Sequence, residues 1–450
     1  MRSAKTSFGL VMAAAAFAAG VGSPTVRGDT PMQLNLAATF APIKADLTAG
    51  QQANIVIFGD SLSVNAEPFH STYSIYLQSI LQGQYGNGGL GYMPFVPAGN
   101  AGMYSGSWTY GGGNGIDTYP YNALDGNWIQ PDSGYGYFTP ESSKISVQYV
   151  DQPGGGSMNL YLANSSGTHI PLATFNTAST NGATTVNTID LNLNVAGAID
   201  SKVYMHPGGN GPVTMLGMTD ITSAPGIRFN IAAHGGWSTG DFVERNTTYD
   251  QSLKILNPQL VFIMLGQNDQ NVPNTAAQFE ANIQSIVTRI EGDLPNSKIC
   301  LISSYNQGGA ILGDYAAAEA QVAQHDSLGF INLYAAGGPY STYVDNNYLV
   351  DGIHSNTAGG QYVGNILGQA FITNGTSLVP EPPSLGILLP GLLLFPLIRR
   401  RKTRLEILVP SARGNNNTTA TSKLSGFPGA MFQDGAGELL AREGGESGTA

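Results

Sequence analysis

The sequence predicts an α/β protein in which a parallel sheet lies between two layers of helices, with an all-β, sandwich-like domain inserted into it. Two observations lead to this fold class. Short apolar runs alternate with segments of helical periodicity in the first and last parts of the chain, and such alternation is typical of parallel sheets covered on both faces. Between these parts helical periodicity is lost, and short runs with a period of two lie among Gly-rich turns.

The α/β fold is predicted in two parts, at residues 29–98 and 223–376. In the first part, residues 54–58 are an apolar run that ends at Gly59, as expected for a buried strand leading into a turn, and residues 73–81 can form a helix. In the second part, strands and helices are expected to alternate at residues 227–231 (strand), 259–265 (strand), 276–290 (helix), 298–303 (strand), 315–324 (helix), 329–333 (strand) and 357–371 (helix).

The inserted domain is predicted at residues 99–222. Apolar and polar residues alternate in four short runs, which predict strands at residues 144–149, 157–162, 188–193 and 213–218. A period of two places the apolar side chains on one face of each strand. Two sheets that pack through such faces form a β-sandwich.

Composition narrows the classes of partner. Only 11% of the 450 residues are charged, and between residues 31 and 383 there are 24 Asp and Glu against eight Lys and Arg. Nucleic acid is therefore not an expected partner, because its phosphates would be repelled. The single cysteine, Cys300, lies in an apolar run that predicts a buried thiol. The histidines lack the spacing of metal ligands, so no metal is expected.

Both ends of the chain have the composition of targeting segments. Residues 1–28 combine Arg2 and Lys5 with an apolar stretch and small residues, which is the pattern of a secretory signal peptide. Residues 377–402 combine a Pro-Glu-Pro motif, an apolar span and an Arg-rich cluster that is expected to remain on the cytoplasmic side. An ordinary membrane anchor is the alternative at either end. The predicted protein is exported in each case.

The C-terminal segment resembles the PEP-CTERM sorting signal of bacteria in all three of its parts. Such signals are recognised by an exosortase, so the resemblance implies sorting machinery of that type as a partner and a location at the cell surface or in the extracellular matrix. They normally end soon after the basic cluster. Here residues 403–450 follow, and their Gly-, Asn-, Thr-, Ser- and Glu-rich composition predicts a disordered tail.

Three short motifs carry the residues of a candidate catalytic site. They are Gly59-Asp60-Ser61-Leu62, Gly266-Gln267-Asn268-Asp269 and Asp351-Gly352-Ile353-His354. A serine is a weak nucleophile until a base takes its proton, and Ser61, His354 and Asp351 supply the nucleophile, the base and the group that orients the base. The Asn268 amide can donate to an oxyanion. Each motif alone also fits a turn or helix cap, whereas all three together predict ester hydrolysis through an acyl-enzyme.

These motifs resemble those of the SGNH (GDSL-type) hydrolases over roughly residues 50–98 and 225–375. The resemblance implies a flavodoxin-like three-layer α/β/α fold, with Ser61, Asp351 and His354 as the catalytic residues. It also implies an oxyanion hole formed by the Ser61 N–H, Asn268 and a glycine. The only candidate for that glycine is the Gly235-Gly236 pair, in which we favour Gly236. The mechanism requires no cofactor.

The segments that flank the insert indicate which class of substrate to expect. Residues 86–92 and 213–218 resemble the arrangement in SGNH enzymes that carry a carbohydrate-binding-like β-domain, among them bacterial peptidoglycan O-acetylesterases. The resemblance implies an acetylated polysaccharide as the substrate. Two alternatives remain open: another ester, as for a lipase, thioesterase or arylesterase of the same family, and a catalytically silent glycan-binding protein of the surface or matrix.

Overall fold

The computed structural model describes residues 30–375, apart from residues 65–71, 96–100, 106–107, 112–120, 132–133, 141, 165–168, 197, 223 and 273. The predicted signal peptide, the sorting segment and the C-terminal tail lie outside the described residues. Within the described ranges, no helix is both long and apolar enough to cross a membrane.

The chain begins with five elements of the α/β part, which are β1 (Gln33–Leu34), α1 (Leu36–Thr48), β2 (Gln52–Gly59), α2 (Tyr73–Tyr85) and β3 (Asn87–Leu90). A run of strands follows, consisting of β4 (Tyr92–Pro94), β5 (Ala101–Ser105), β6 (Trp108–Gly111), β7 (Trp128–Pro131), β8 (Tyr135–Phe138), β9 (Lys144–Asp151), β10 (Ser157–Asn164), β11 (His169–Asn176), β12 (Thr185–Asn192), β13 (Ala198–Pro207) and β14 (Thr214–Asp220).

The rest of the described chain returns to alternating strands and helices. Its elements are β15 (Gly226–Ala233), α3 (Thr239–Glu244), α4 (Thr247–Leu256), β16 (Leu260–Met264), α5 (Ala276–Asp293), β17 (Lys298–Ile302), α6 (Leu312–Asp326), β18 (Gly329–Ile331), α7 (Leu333–Ala336), α8 (Tyr340–Asp345) and α9 (Thr357–Thr373).

The α/β part is built on a seven-stranded sheet in the order β1-β18-β17-β16-β2-β15-β3. Its neighbouring strands are parallel except for β1, which runs antiparallel to β18. The central five strands have the flavodoxin-like order, because the chain moves from β2 to one side for β15 and then to the other side for β16, β17 and β18. This arrangement confirms the predicted fold class.

Helices cover both faces of this sheet because its strands are apolar on both sides. Along β2, Val56 and Phe58 are buried in one core cluster with residues of α3 to α6, whereas Ile55 and Ile57 are buried in another with residues of α1, α2 and α9. Successive side chains of a strand point to opposite faces, so one uninterrupted apolar run supplies both cores. The result is the three-layer α/β/α arrangement.

The strand-rich segment forms two packed antiparallel sheets. One has the order β11-β10-β13-β8-β5, and the other has the order β12-β9-β14-β7-β6, with β4 paired to β14. Apolar side chains from both sheets form a third core cluster, for example Val147 and Met215 from one sheet and Leu160 and Val203 from the other. This is the predicted sandwich, and the four runs with a period of two lie in β9, β10, β12 and β14.

Helices α2 and α9 pack closely because α9 carries glycines at the contact. A Cβ atom built on Gly364 would lie 2.7 Å from Tyr76 Cβ and 3.1 Å from the backbone nitrogen of Leu77, and one on Gly368 would lie 2.8 Å from Ile80 Cγ2. Distances this short leave no room for a methyl group. Helix α9 begins just after the Asp351–His354 motif, so this packing fixes where that motif emerges from the fold.

We predict that Gly364→Ala destabilises the protein even though alanine is the better helix former. The added methyl group must separate α2 from α9, at a cost of about 1–3 kcal/mol in the free energy of unfolding, measured by urea denaturation. Gly292→Ala is the matched control, because a Cβ at Gly292 in α5 meets nothing within 4 Å and the change should stabilise by about 0.5–1 kcal/mol. Equal stability of the two variants would contradict the prediction.

Candidate active site

Three neighbouring strands of the parallel sheet end at the same edge and carry the predicted site residues. Ser61 follows β2, Asn268 follows β16, and the Gly235-Gly236 pair follows β15. Since β16, β2 and β15 are adjacent in the sheet, the three segments that follow them lie side by side. The carboxyl ends of parallel strands at the point where the strand order reverses are the usual place for a site in this class of fold.

His354 and Asp351 reach the same edge from the loop before α9. His354 Nε2 lies 2.9 Å from Ser61 Oγ, and His354 Nδ1 lies 2.8 Å from Asp351 Oδ2. With a proton on Nδ1, the imidazole donates to the carboxylate and accepts from the serine hydroxyl through Nε2. This is the hydrogen-bonding order in which a carboxylate orients a histidine that can remove a proton from a serine. The structure thus brings Ser61, His354 and Asp351 together.

The loop of Asp351 and His354 is held by its own backbone. Asp351 Oδ1 accepts from the N–H groups of Ile353 (3.0 Å) and His354 (2.8 Å), so both carboxylate oxygens of Asp351 have partners. Partial burial alone would raise the pKa of Asp351, but these N–H donors and the His354 imidazole lower it to about 2. Asp351 therefore remains ionised at every pH at which a neutral imidazole could serve as a base.

The predicted oxyanion donors lie in the segments that follow β16 and β15, the two strands next to β2. Asn268 Nδ2 donates to the backbone oxygen of Trp237 at 2.9 Å, which fixes the amide and leaves its second hydrogen available to a substrate. In the turn after β15, Gly236 has a φ of +85°, a left-handed conformation that favours glycine. A Cβ built on Gly235 would lie 3.9 Å from Ser61 Cβ. Gly235 therefore adjoins the nucleophile, and Gly236, the next residue of the same turn, stays a prediction as the donor.

Two aspartates of the motifs shape the turns instead of facing the substrate. Asp60 is buried, its Oδ1 accepts from the N–H of Leu62 at 2.9 Å, and its backbone oxygen accepts from the N–H of Ser63 at 3.0 Å. Asp269 accepts from the backbone N–H of Thr239, at the start of α3. These bonds hold Ser61 and Asn268 at their strand ends. Sequence reasoning gave neither aspartate a role, although each directly adjoins a predicted site residue.

Burial raises the pKa of both aspartates. For Asp60 the pKa rises to about 7, and the charge of nearby Asp269 adds to the effect of burial. The pKa of Asp269 is also raised by burial, against the opposing effect of its hydrogen bonds from Thr239 and Asn274. A carboxyl of this kind retains its proton in the folded state at a pH where the unfolded chain has lost it.

A loop between β6 and β7 supports the turn that carries Gly235 and Gly236. His234 Nδ1 lies 2.7 Å from the backbone oxygen of Asp125, and the imidazole packs on the Trp237 ring with centroids 4.7 Å apart. Gly126, with a φ of +79°, approaches the same two side chains, because a Cβ there would lie 2.8 Å from each. The strand-rich segment thus contacts the turn that follows β15.

No group of three or more His, Cys, Asp or Glu side chains among the described residues is placed to hold a metal ion. Cys300 is fully buried in β17, as its apolar surroundings predicted.

Comparison with known protein families finds a match over part of the chain. Residues 218–362 match the GDSL-like Lipase/Acylhydrolase family. The matched segment contains Asn268, Asp351 and His354, whereas Ser61 lies ahead of it because the strand-rich segment separates β2 from β15 in the chain. No curated protein matches the chain.

One solved structure shows the same fold. A peptidoglycan O-acetylesterase matches with a TM-score of 0.58 and 17% identity, over 77% of this chain and 99% of its own. Two others match only in part, each with 20% identity, a TM-score of 0.28 and 32% of this chain covered. They are the acetyl xylan esterase AlAXEase, with 81% of its chain covered, and a carbohydrate esterase family 3 from Talaromyces cellulolyticus, with 71% covered.

The site geometry and the family match point to the same class of protein, the ester hydrolases. More particularly, residues 218–362 resemble a GDSL-like lipase/acylhydrolase domain, and the chain carries an additional β-sandwich.

We predict that Asp60→Asn weakens the pH dependence of stability. Asn retains an oxygen for the Leu62 N–H but does not titrate. In the wild type, the unfolded chain releases the Asp60 proton near its ordinary pKa of about 4, whereas the folded protein retains it up to about 7. The contribution of this group to the free energy of unfolding is therefore fully present below about pH 4 and is lost as the pH rises to about 7, at about 1.4 kcal/mol per pH unit.

Urea unfolding at pH 4, 5.5 and 7 measures this difference. The fall in unfolding free energy between pH 4 and pH 7 should be smaller in Asp60→Asn than in the wild type. Part of the fall should persist in the variant, because burial also raises the pKa of Asp125 to about 7. Asp190→Asn, at an exposed carboxyl, is the control. Identical pH dependence in all three proteins would refute the assignment to Asp60.

Proposed function

We propose that this protein is an exported serine esterase that removes O-acetyl groups from a polysaccharide through an acyl-enzyme. The observation that carries the proposal is the continuous hydrogen-bonded series from Ser61 Oγ through the His354 imidazole to the Asp351 carboxylate. Exposure supports it too: the side chain of His354 is 22% exposed and that of Asp351 is 40% exposed, so an ester bound to a large polymer can approach from solvent.

Acyl transfer to the enzyme follows from this geometry. As His354 Nε2 takes its proton, Ser61 Oγ attacks the ester carbonyl carbon, and the carbonyl oxygen becomes an oxyanion. The imidazolium that forms is stabilised by the ionised Asp351 at Nδ1. It then donates the proton from Nε2 to the departing sugar oxygen, which leaves as a hydroxyl. An acetyl group remains on Ser61, and water activated by His354 releases it as acetate.

The oxyanion is stabilised by donors that are in place before the reaction. Asn268 is fixed through Trp237, and the Ser61 N–H and a glycine N–H of the turn after β15 complete the proposed set. Donors held at the position where charge develops are worth about 3–4 kcal/mol each in enzymes of this mechanism. The turns built by Asp60 and Asp269 therefore contribute to the reaction without contacting the substrate.

The polysaccharide part of the proposal rests on the extra β-sandwich. The peptidoglycan O-acetylesterase structure resembles this chain over both the α/β part and the strand-rich part, because 77% of this chain is covered and the α/β part alone is shorter than that. A loop of the sandwich contacts the turn beside Ser61. A polymer bound to the sandwich would therefore lie next to the nucleophile.

A second candidate function is hydrolysis of longer acyl esters or thioesters. The family description itself supports this candidate, since it names lipases and acylhydrolases. The two functions differ in the acyl pocket: one restricted to acetyl should lose activity sharply beyond a few carbons.

We predict that Ser61→Ala abolishes hydrolysis of p-nitrophenyl acetate by the full chain, with a loss on the order of a million-fold in turnover. Ser285→Ala, an exposed position in α5 whose hydroxyl bonds only within the helix, should retain wild-type rates. The same three proteins are then tested for acetate release from O-acetylated peptidoglycan and acetylated xylan, and for hydrolysis of esters from acetyl to decanoyl.

Acetate release that depends on Ser61, with little activity on longer chains, supports the proposal. Preference for octanoyl or decanoyl esters would favour the second candidate. Binding to the glycans without any turnover dependent on Ser61 would instead indicate a glycan-binding surface or matrix protein.

We also propose export to the cell surface or matrix, with an exosortase-type enzyme acting on the segment at residues 377–402. The support is the charge-poor, acidic body and the composition of both ends. Fractionation of cells that express the full chain should place it outside the inner membrane, and deletion of residues 377–402 should release it into the medium. Retention of both proteins in the cytoplasm would contradict the proposal.

A further inference from the structure

We propose that Tyr305 is a positioning residue for the His354–Asp351 pair and acts through the peptide bond between Ile353 and His354. The inference rests on the proposed function, because it assigns a residue to the same serine mechanism.

One peptide unit is hydrogen-bonded on both of its sides. Tyr305 Oη donates to the backbone oxygen of Ile353 at 2.8 Å, and the N–H on the other side of this peptide bond, that of His354, donates to Asp351 Oδ1 at 2.8 Å. A peptide plane fixed at its oxygen and its nitrogen cannot rotate without breaking one of the two bonds. The orientation of this plane sets the direction in which the His354 side chain leaves the backbone.

The two bonds also reinforce each other. A hydrogen bond accepted by the carbonyl oxygen polarises the amide and makes its N–H a better donor. The Tyr305 hydroxyl therefore strengthens one of the backbone bonds that hold Asp351 ionised. Burial raises the pKa of Tyr305 further above its ordinary value, so its phenol remains protonated and can donate throughout the working range of a serine esterase.

Tyr305 can act as an anchor because it is itself immobile. It follows β17 in the central sheet, is 1% exposed, and stacks on Tyr343 with ring centroids 5.1 Å apart. The loop that it contacts is the exposed part of the site. Other bonds hold that loop at its base, notably the Val350 N–H to the His354 oxygen at 2.8 Å. The Tyr305 bond reaches the backbone between the two side chains that must be aligned.

Tyr343 supplies a matched control for removing a buried phenol oxygen. It is the other ring of the stacked pair and is fully buried. Its hydroxyl has no hydrogen-bond partner among the described residues. Tyr305→Phe and Tyr343→Phe therefore make the same chemical change in the same cluster, and only the first removes a bond to the catalytic loop.

The experiment compares wild type, Tyr305→Phe, Tyr343→Phe and Ser61→Ala as full-length proteins. A fluorophosphonate probe that reacts with activated serines gives the number of labelled sites per chain and the labelling rate. Steady-state hydrolysis of p-nitrophenyl acetate gives kcat per labelled site and KM. For Tyr305→Phe we expect one label per chain, a labelling rate and kcat lowered about tenfold or more, and an unchanged KM. Tyr343→Phe should match the wild type.

The possible outcomes distinguish a positioning role of Tyr305 from a purely structural one. Wild-type labelling rate and kcat per site in Tyr305→Phe would overturn the proposal. So would a label count below one per chain with normal rates at the remaining sites, because Tyr305 would then support only the fold. An equal loss in both Phe variants would overturn it as well. Turnover and labelling that persist in Ser61→Ala would instead refute the proposed function, a result that no Tyr305 variant can produce.

Discussion

The hydrogen bond between Ser61 Oγ and His354 Nε2 is the contact on which the organisation of this protein depends. It joins two residues 293 positions apart in the sequence, and neither has catalytic value without the other. Holding them at 2.9 Å requires β2 to end at the sheet edge, α9 to dock against α2, and the loop between α8 and α9 to bend over that edge. The closely packed glycines of α9 satisfy the second requirement, and the bonds around Asp351 satisfy the third.

This geometry has an energetic cost, because two carboxyl groups are buried near the site. Asp60 and Asp269 are buried carboxyls whose charges repel each other, and burial disfavours their ionised forms. Hydrogen bonds compensate part of this cost: Asp60 accepts the Leu62 N–H within the turn that carries Ser61, and Asp269 accepts the Thr239 N–H at the start of α3. Apolar replacements would leave those N–H groups without partners at a cost of about 1–3 kcal/mol each. Asp60 and Asp269 are therefore explained by backbone geometry.

The local pattern of apolar and polar residues in the sequence predicted much of the fold and the positions of the candidate site residues. The apolar runs ending at Gly59 and Gly266 placed Ser61 and Asn268 at strand ends, because a buried parallel strand must end in a turn at the sheet edge. Helix α1 was missed: it contains Pro42, which interrupts the signals used to recognise helices. Tyr305 was missed for another reason. Its partner, Ile353, is 48 residues away, and nothing in the pattern around either residue indicates that they meet.

The packing of the loop between β6 and β7 against the α/β part could not be predicted either. This packing joins the sandwich to the α/β part through a shared core. Leu124 and Trp128 are buried in the same core cluster as Trp237. Asn122 also exchanges hydrogen bonds with Asn246, at the start of α4, in both directions.

A flexible linker would allow the sandwich to move independently of the α/β part, whereas a shared core does not. Because the Trp237 backbone oxygen also accepts from Asn268, the same core supports the predicted oxyanion donor. The sandwich is therefore a structural part of the candidate active site, and a substrate bound to it would have a fixed position relative to Ser61.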